Sequence, residues 1–177
     1  MLKAEFHSKL DPMQFAYKHN RNTTDALATF LHIVTSHLDR CSTNTVRCLF
    51  VDFSSAFYTI PPPNLISKLT SLYNLPNFLS DWIFDFLTDR TQYVAVEEKY
   101  SKYINTNIGS PQGCILSPFL FSIYTNDLIK LSETVDIIKF ADDTLVVGKI
   151  SNDDSNEYFR NIDHVLKWCS TNGLVLN

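Results

Sequence analysis

Ile137-Ile138-Lys139-Phe140-Ala141-Asp142-Asp143-Thr144-Leu145-Val146-Val147 is a pair of mostly apolar runs parted by two acids. Runs of this length on either side of turn-forming residues are the pattern of a β-hairpin, so the stretch predicts two paired strands with Asp142 and Asp143 at their tip. Taken alone, two carboxylates there have an ordinary explanation, because Asp suits turns. A second acid-ending segment changes the weighing. Val46 to Phe53 is a short β-favouring run ending on Asp52, which predicts a buried strand with an acid at its end. If the two segments neighbour each other in one sheet, Asp52 lies beside Asp142 and Asp143. Three carboxylates in so small a space repel one another unless cations bind between them. Mg²⁺ suits such a place, since one or two acids hold it while water and phosphate complete its octahedron.

Outward from the hairpin, Asn152 to Ser155 cap a helix bearing Tyr158, Ile162, Val165, Leu166 and Cys169; Asn172-Gly173 ends it before a strand start at Leu174-Val175-Leu176. Upstream, Ser117 reads as an N-cap with Pro118 in the first turn and Phe119 to Leu128 as the helix. Thr91 to Val96 and Tyr103 to Ile108 read as paired strands around Glu97 to Lys102. Leu65 to Leu72, then Leu79, Trp82, Ile83, Phe86 and Leu87 at core-facing spacing, predict two short helices, and Pro61 to Pro63 before them are expected to stop regular structure. Thr23, Thr24 and Asp25 cap a first helix with one buried stripe, Leu27, Phe30, Leu31, Val34 and Leu38. Helices mixed with hairpin-joined strands predict an α+β fold, a mainly antiparallel sheet with helices packed on one face.

The 177 residues are 45% hydrophobic and 19% charged, with only 4 Gly and 7 Pro, which excludes collagen-like and disordered chains and predicts a single domain over residues 1–177. No apolar run approaches the ~20 residues of a membrane span. Met1 to Leu10 carries Lys3, Glu5 and Lys9 and no apolar signal-peptide core, so an intracellular protein is expected. A net charge of -4 disfavours holding nucleic acid by positive charge over the whole surface. Cys41, Cys48, Cys114 and Cys169 show no paired spacing, nor do the histidines, so zinc has little support and the thiols are expected to be buried. His32 and His37 read as surface or satisfied histidines.

Three segments together carry a resemblance. Phe50-Val51-Asp52-Phe53-Ser54-Ser55-Ala56-Phe57, Gly109-Ser110-Pro111-Gln112-Gly113-Cys114-Ile115-Leu116-Ser117-Pro118 and Lys139-Phe140-Ala141-Asp142-Asp143 resemble the palm motifs of reverse transcriptases, most closely the non-LTR (LINE-like) retrotransposon type. Gln14-Phe15-Ala16-Tyr17-Lys18 with Arg21, Thr24, Asp25 and Ala26 resembles that group's finger motif, and Trp168 to Leu174 the segment after the acidic hairpin. Tyr58 stands where Asn is usual, Ala16 where Gly is, and Lys18 where Arg is.

The resemblance implies a polymerase palm, about residues 46–177, with partial fingers, about residues 1–45, and with the upstream finger segment and the thumb missing. It implies an RNA-directed DNA polymerase that takes an RNA template, a DNA primer and dNTPs, cytoplasmic or nuclear, with no membrane partner. Asp52 and Asp142 would bridge two Mg²⁺ (or Mn²⁺) ions ~3.5–4 Å apart, Asp143 would complete or orient the site, and the Phe53 carbonyl would add a ligand. Such ions lower the pKa of the primer hydroxyl and neutralise the departing pyrophosphate. Phe57 would be the gate beneath the incoming sugar, favouring deoxynucleotides; the alternative is an ordinary core phenylalanine. Gln112 would bond near nucleotide or template and Gly113 would let the backbone approach it; the alternative is a Pro-Gln-Gly turn. Arg21, grouped with Lys18 and His19, would meet template or triphosphate phosphates, or is part of a solvated cluster. For the chain as a whole a second reading is a catalytically dead, nucleic-acid-binding remnant, and a third is a metal-dependent phosphotransferase of another kind.

Overall fold

The computed structural model describes residues 9–177, so the reading of Met1 to Leu10 falls almost wholly outside it. In chain order the elements are α1 (Thr23–Leu38), β1 (Thr45–Val51), α2 (Pro62–Tyr73), α3 (Asn77–Leu87), β2 (Arg90–Gln92), β3 (Ala95–Val96), β4 (Lys99–Tyr100), β5 (Ile104–Thr106), α4 (Leu116–Tyr124), β6 (Val135–Phe140), β7 (Asp143–Ile150) and α5 (Asn156–Thr171). The main sheet is antiparallel with spatial order β1-β7-β6. Its register runs from Thr45 opposite Ile150 to Val51 opposite Thr144, and from Val135 opposite Gly148 to Phe140 opposite Asp143.

Alternation along the strands sends side chains to two cores. Val51, Val135, Ile137, Val146 and Ile150 join the larger one, with Leu65, Leu120, Phe121 and Val165 from α2, α4 and α5. Ile138 and Val147 point the other way and pack with Phe15, with Phe140, Leu145 and the α1 residues Ala26, Phe30, Ile33 and Val34 around them. The α+β class with an antiparallel sheet holds, and the helix cover extends to the second face. No helix among the described residues is long and apolar enough to cross a membrane.

Several local expectations change. On α1 the buried face is Ala26, Phe30, Ile33, Val34 and His37, while Leu27, Leu31 and Leu38 stay exposed. The His37 ring is satisfied by the Ile150 carbonyl at 2.9 Å, and Asn22, in a capping box with Asp25, is the N-cap. β1 is an edge strand, mostly exposed rather than buried, because only β7 flanks it. The prolines open α2 instead of stopping it, since first-turn N–H groups have no helical partner to lose. On α3, Ile83 and Leu87 are buried whereas Trp82 is exposed, and on α5 Leu166 is exposed. α4 starts at Leu116 and ends at Tyr124, so Ser117 is not its cap; the Ser117 hydroxyl bonds to the Pro111 carbonyl and meets the Cys114 thiol. The Thr91–Ile108 segment pairs as β2 with β5, and its tip makes a separate ladder of β3 with β4. Of the cysteines only Cys169 is buried, its thiol pushed up to about 11 by that burial; Cys41 and Cys48 are exposed.

Candidate active site

Asp52 sits where one pairing gives way to another. The β1–β7 ladder ends at Val51 opposite Thr144, and the next residue on each strand is an acid, Asp52 and Asp143. Residues facing each other across an antiparallel ladder share a face, so both acids project to the side of Phe50 and Leu145, away from the larger core. Both line one cavity of about 520 Å³, whose walls include Phe30, Phe50, Phe140 and Leu145. Past Asp52 the chain pairs with the end of the sequence instead: Phe53 bridges Leu176, the Ser54 N–H donates to the Val175 carbonyl at 2.8 Å, and the Asn177 N–H donates to the Asp52 carbonyl at 3.0 Å. Neither bond takes up the Phe53 carbonyl, the oxygen that the resemblance makes a ligand.

Asp142 occupies the β6–β7 turn, while Asp143 already belongs to β7. Ala141 before it is in the left-handed region (φ 57°), which costs a residue with a Cβ about 1–2 kcal/mol. Gln14, 2% exposed, offsets that cost. Its Oε1 accepts from the Ala141 N–H at 3.2 Å and from the Ala16 N–H at 3.0 Å, and its Nε2 donates to the Ala141 carbonyl at 3.4 Å. Residues 13–15 run along β6, with the Phe15 N–H donating to the Lys139 carbonyl and the Lys139 N–H to the Met13 carbonyl. The finger-motif segment thus holds the acidic turn. Tyr17, next along, has its hydroxyl pKa raised, first by partial burial and then by the charge of Asp142.

The Gly109–Gly113 segment docks against the residues that follow Asp52. Phe57 lies in a 3₁₀ turn, Ala56–Tyr58, partly buried with its ring 4.9 Å from that of Phe121. The Gly109 N–H donates to the Ile60 carbonyl and the Ser110 N–H to the Phe57 carbonyl, each at 2.8 Å. Gly109 has φ +70° and a Cβ there would lie 2.5 Å from the Tyr58 Cα, so no other residue fits. Gly109→Ala is expected to lower stability by about 2–4 kcal/mol, from left-handed strain plus overpacking, read as a fall in the urea midpoint. Gly113, φ +77°, meets no atom in the direction of its missing Cβ, and Gln112 beside it is exposed.

The structure therefore gathers Asp52, Asp142 and Asp143 at one end of the sheet, and ties Phe57 to the glycine segment. Arg21 is exposed, with its guanidinium 5.1 Å over the Phe15 ring. The donors at the sheet end are all hard oxygens, the chemistry that Mg²⁺ or Mn²⁺ takes. Convergence is in the backbone register and not yet in the side chains, because among the described residues no three Asp, Glu, His or Cys side chains form a group able to hold a metal ion. One oxygen of Asp52 accepts from the Asn177 side chain. Gln14, Gly109 and Asn177 are the residues that sequence reasoning did not assign. Gln14 and Gly109 had a signal, each opening a segment that carries the resemblance, while Asn177 lies outside those segments.

A family model described as reverse transcriptase (RNA-dependent DNA polymerase) matches residues 1–177. The chain belongs to the reverse transcriptase family. This reverse transcriptase chain is 30% identical over 117 residues to the probable RNA-directed DNA polymerase from transposon BS of Drosophila melanogaster, a match covering 65% of the chain and 12% of the relative. It is 33% identical over 107 residues to the RNA-directed DNA polymerase from mobile element jockey of the same species, covering 56% and 12%. The match thus spans only a small part of the length of either relative. In fold it is similar to apo telomerase from Candida tropicalis, with TM-score 0.72 and 12% identity, over 99% of this chain and 34% of that one. Telomerase from Candida albicans in complex with a TWJ fragment of telomeric RNA is similar too, with TM-score 0.71 and 16% identity over 99% and 31%. At these identities the likeness is one of fold. Family membership implies a divalent cation as working partner.

Proposed function

We propose that the chain carries the nucleotidyl-transfer centre of an RNA-directed DNA polymerase of the non-LTR retrotransposon type, adding dNTPs to a DNA primer on an RNA template. The observation that supports this most is the β1–β7 register, which ends at Val51 opposite Thr144, so that Asp52 from one motif and Asp143 from another are the next residues on the two strands, with Asp142 one residue away. Residues 46–177 are the palm in this reading, and residues 1–45 contribute to the fingers.

Asp52, Asp142, Asp143 and the Phe53 carbonyl would hold divalent cations, Mg²⁺ or Mn²⁺. Bound there, such cations supply Lewis-acid neutralisation of phosphoryl charge and a lowered pKa for the primer 3'-hydroxyl. The rest is positioning by the chain itself. Phe57 lies under the sugar, Gly113 leaves open space for the nucleotide, and Gln112 offers its amide to nucleotide or template. Arg21 stands among basic residues suited to phosphate.

Purified chain given a primed RNA template, dNTPs and Mg²⁺ is expected to make products whose length follows the template. Products independent of the template would instead point to a phosphotransferase of another kind, and RNA binding without extension to a non-catalytic remnant. Phe57→Ala is expected to relax selection against ribonucleotides. Removing a clash of about 1–3 kcal/mol at about 1.4 kcal/mol per decade corresponds to about 5–150-fold in the dNTP/rNTP ratio. Unchanged discrimination in competition assays would make Phe57 a packing residue.

A further inference from the structure

The strand end at Leu174–Asn177 reaches Asp52 by a continuous path. Gly173, in the left-handed region at φ +67°, turns the chain out of α5, and Leu174, 4% exposed, anchors it in the larger core. The Val175 carbonyl then accepts from Ser54, Leu176 bridges Phe53, and Asn177 donates twice to one residue: its N–H to the Asp52 carbonyl at 3.0 Å, its side-chain Nδ2 to Asp52 Oδ2 at 2.7 Å. Main chain and carboxylate of Asp52 are thereby fixed by the same partner. The other carboxylate oxygen is not used by that bond.

We infer that Asn177 is a positioning residue for Asp52: its amide holds Oδ2 and so presents Oδ1 for a divalent cation. This rests on the metal-binding reading above. A carboxylate on an exposed strand end otherwise turns freely about χ1 and χ2, and orienting partners of metal ligands are worth about 10–100-fold in metal affinity. Both residues are exposed, so the effect belongs at the lower end, about tenfold. The fold does not depend on the amide, since Leu174 and the backbone pairing hold the strand.

Mn²⁺ titration of the 177-residue chain, followed by electron paramagnetic resonance, tests this alongside thermal unfolding. Expected are Mn²⁺ binding that Asp52→Ala removes, a loss of about tenfold in affinity for Asn177→Ala at an unchanged unfolding midpoint, and partial recovery in Asn177→Gln, which keeps the amide. If Asp52→Ala removes binding but Asn177→Ala does not weaken it, the positioning role is overturned while the metal site stands. A fall in midpoint that accompanies the lost affinity makes Asn177 structural, and also overturns the role. If the unaltered chain binds no Mn²⁺, or Asp52→Ala leaves binding intact, the metal reading fails and takes the role with it.

Discussion

Asp142→Ala is expected to lower primer extension by about a thousandfold or more, because several kcal/mol of charge stabilisation are lost with the carboxylate and each 1.36 kcal/mol is tenfold in rate. The fold should tolerate the change. Asp142 is half-buried in the turn and its side chain makes no hydrogen bond to another described residue; the turn is held through Ala141 by Gln14. The free energy of unfolding should therefore change by no more than about 0.5 kcal/mol, as it does for surface substitutions. Single-turnover extension on a primed RNA template separates the two effects. Extension within about tenfold of the unaltered chain would remove Asp142 from the chemistry, since transition-state charge stabilisation is worth far more than that.

The largest stability effect is expected three residues earlier. Lys139 is 1% exposed, yet charged residues are almost never buried unless paired. Its Nζ donates to the Thr125 and Leu128 carbonyls, both at 2.9 Å, and pairs with Asp11 Oδ2 at 2.7 Å. Burial lowers its pKa, and the neighbouring Asp11 charge opposes that shift. Lys139→Met takes the ion pair from Asp11, which keeps the Met13 N–H on its other oxygen, and removes the Nζ from two carbonyls, which should cost about 3–5 kcal/mol, a large part of a typical domain's total of about 5–15 kcal/mol. Adding Asp11→Leu should restore part of it, because the unpaired charge is then gone. For contrast, Arg160→Ala breaks only the exposed pair with Glu157, worth at most about 1 kcal/mol. Denaturant midpoints of the variants decide the matter: a loss below about 1 kcal/mol for Lys139→Met would show that its contacts are dispensable.

Much of this arrangement can be read in the sequence where the signal is local. The acidic hairpin is legible because apolar runs of strand length flank turn residues, and Asp52 because it ends a β-favouring run. Two stripes on α1 fit a helical period equally well, Leu27-Leu31-Val34-Leu38 and Ala26-Phe30-Ile33-His37. Of the expected stripe, Phe30 and Val34 are packed inward while Leu27, Leu31 and Leu38 stay exposed; the face is turned toward Ala26, Ile33 and His37, whose ring finds the Ile150 carbonyl across the fold. Pro61 to Pro63 mislead for a different reason: proline breaks a helix interior but suits its first turn. The pairings that support the site stay hidden in sequence altogether. Gln14 and Ala141 are 127 residues apart, Asn177 and Asp52 are 125, and neither pairing leaves a local pattern. The three acids are named by their motifs; the partners that hold the Asp142 turn and Asp52, Gln14 and Asn177, are distant in sequence.

The belt of bonds from Met13, Gln14 and Phe15 to β6 also limits how the molecule can flex. Any closing motion of the N-terminal part over the sheet that pivots before Ala16 must tear away the hold on the acidic turn. A pivot after Ala16 leaves that hold intact, and there the backbone twice enters the left-handed region, at Tyr17 and Asn20. α1 is itself tied to the sheet by Phe30, Ile33, Val34 and the His37 bond to Ile150, and it lines one cavity with Asp52 and Asp143, so a displacement of α1 would reshape the space those acids face.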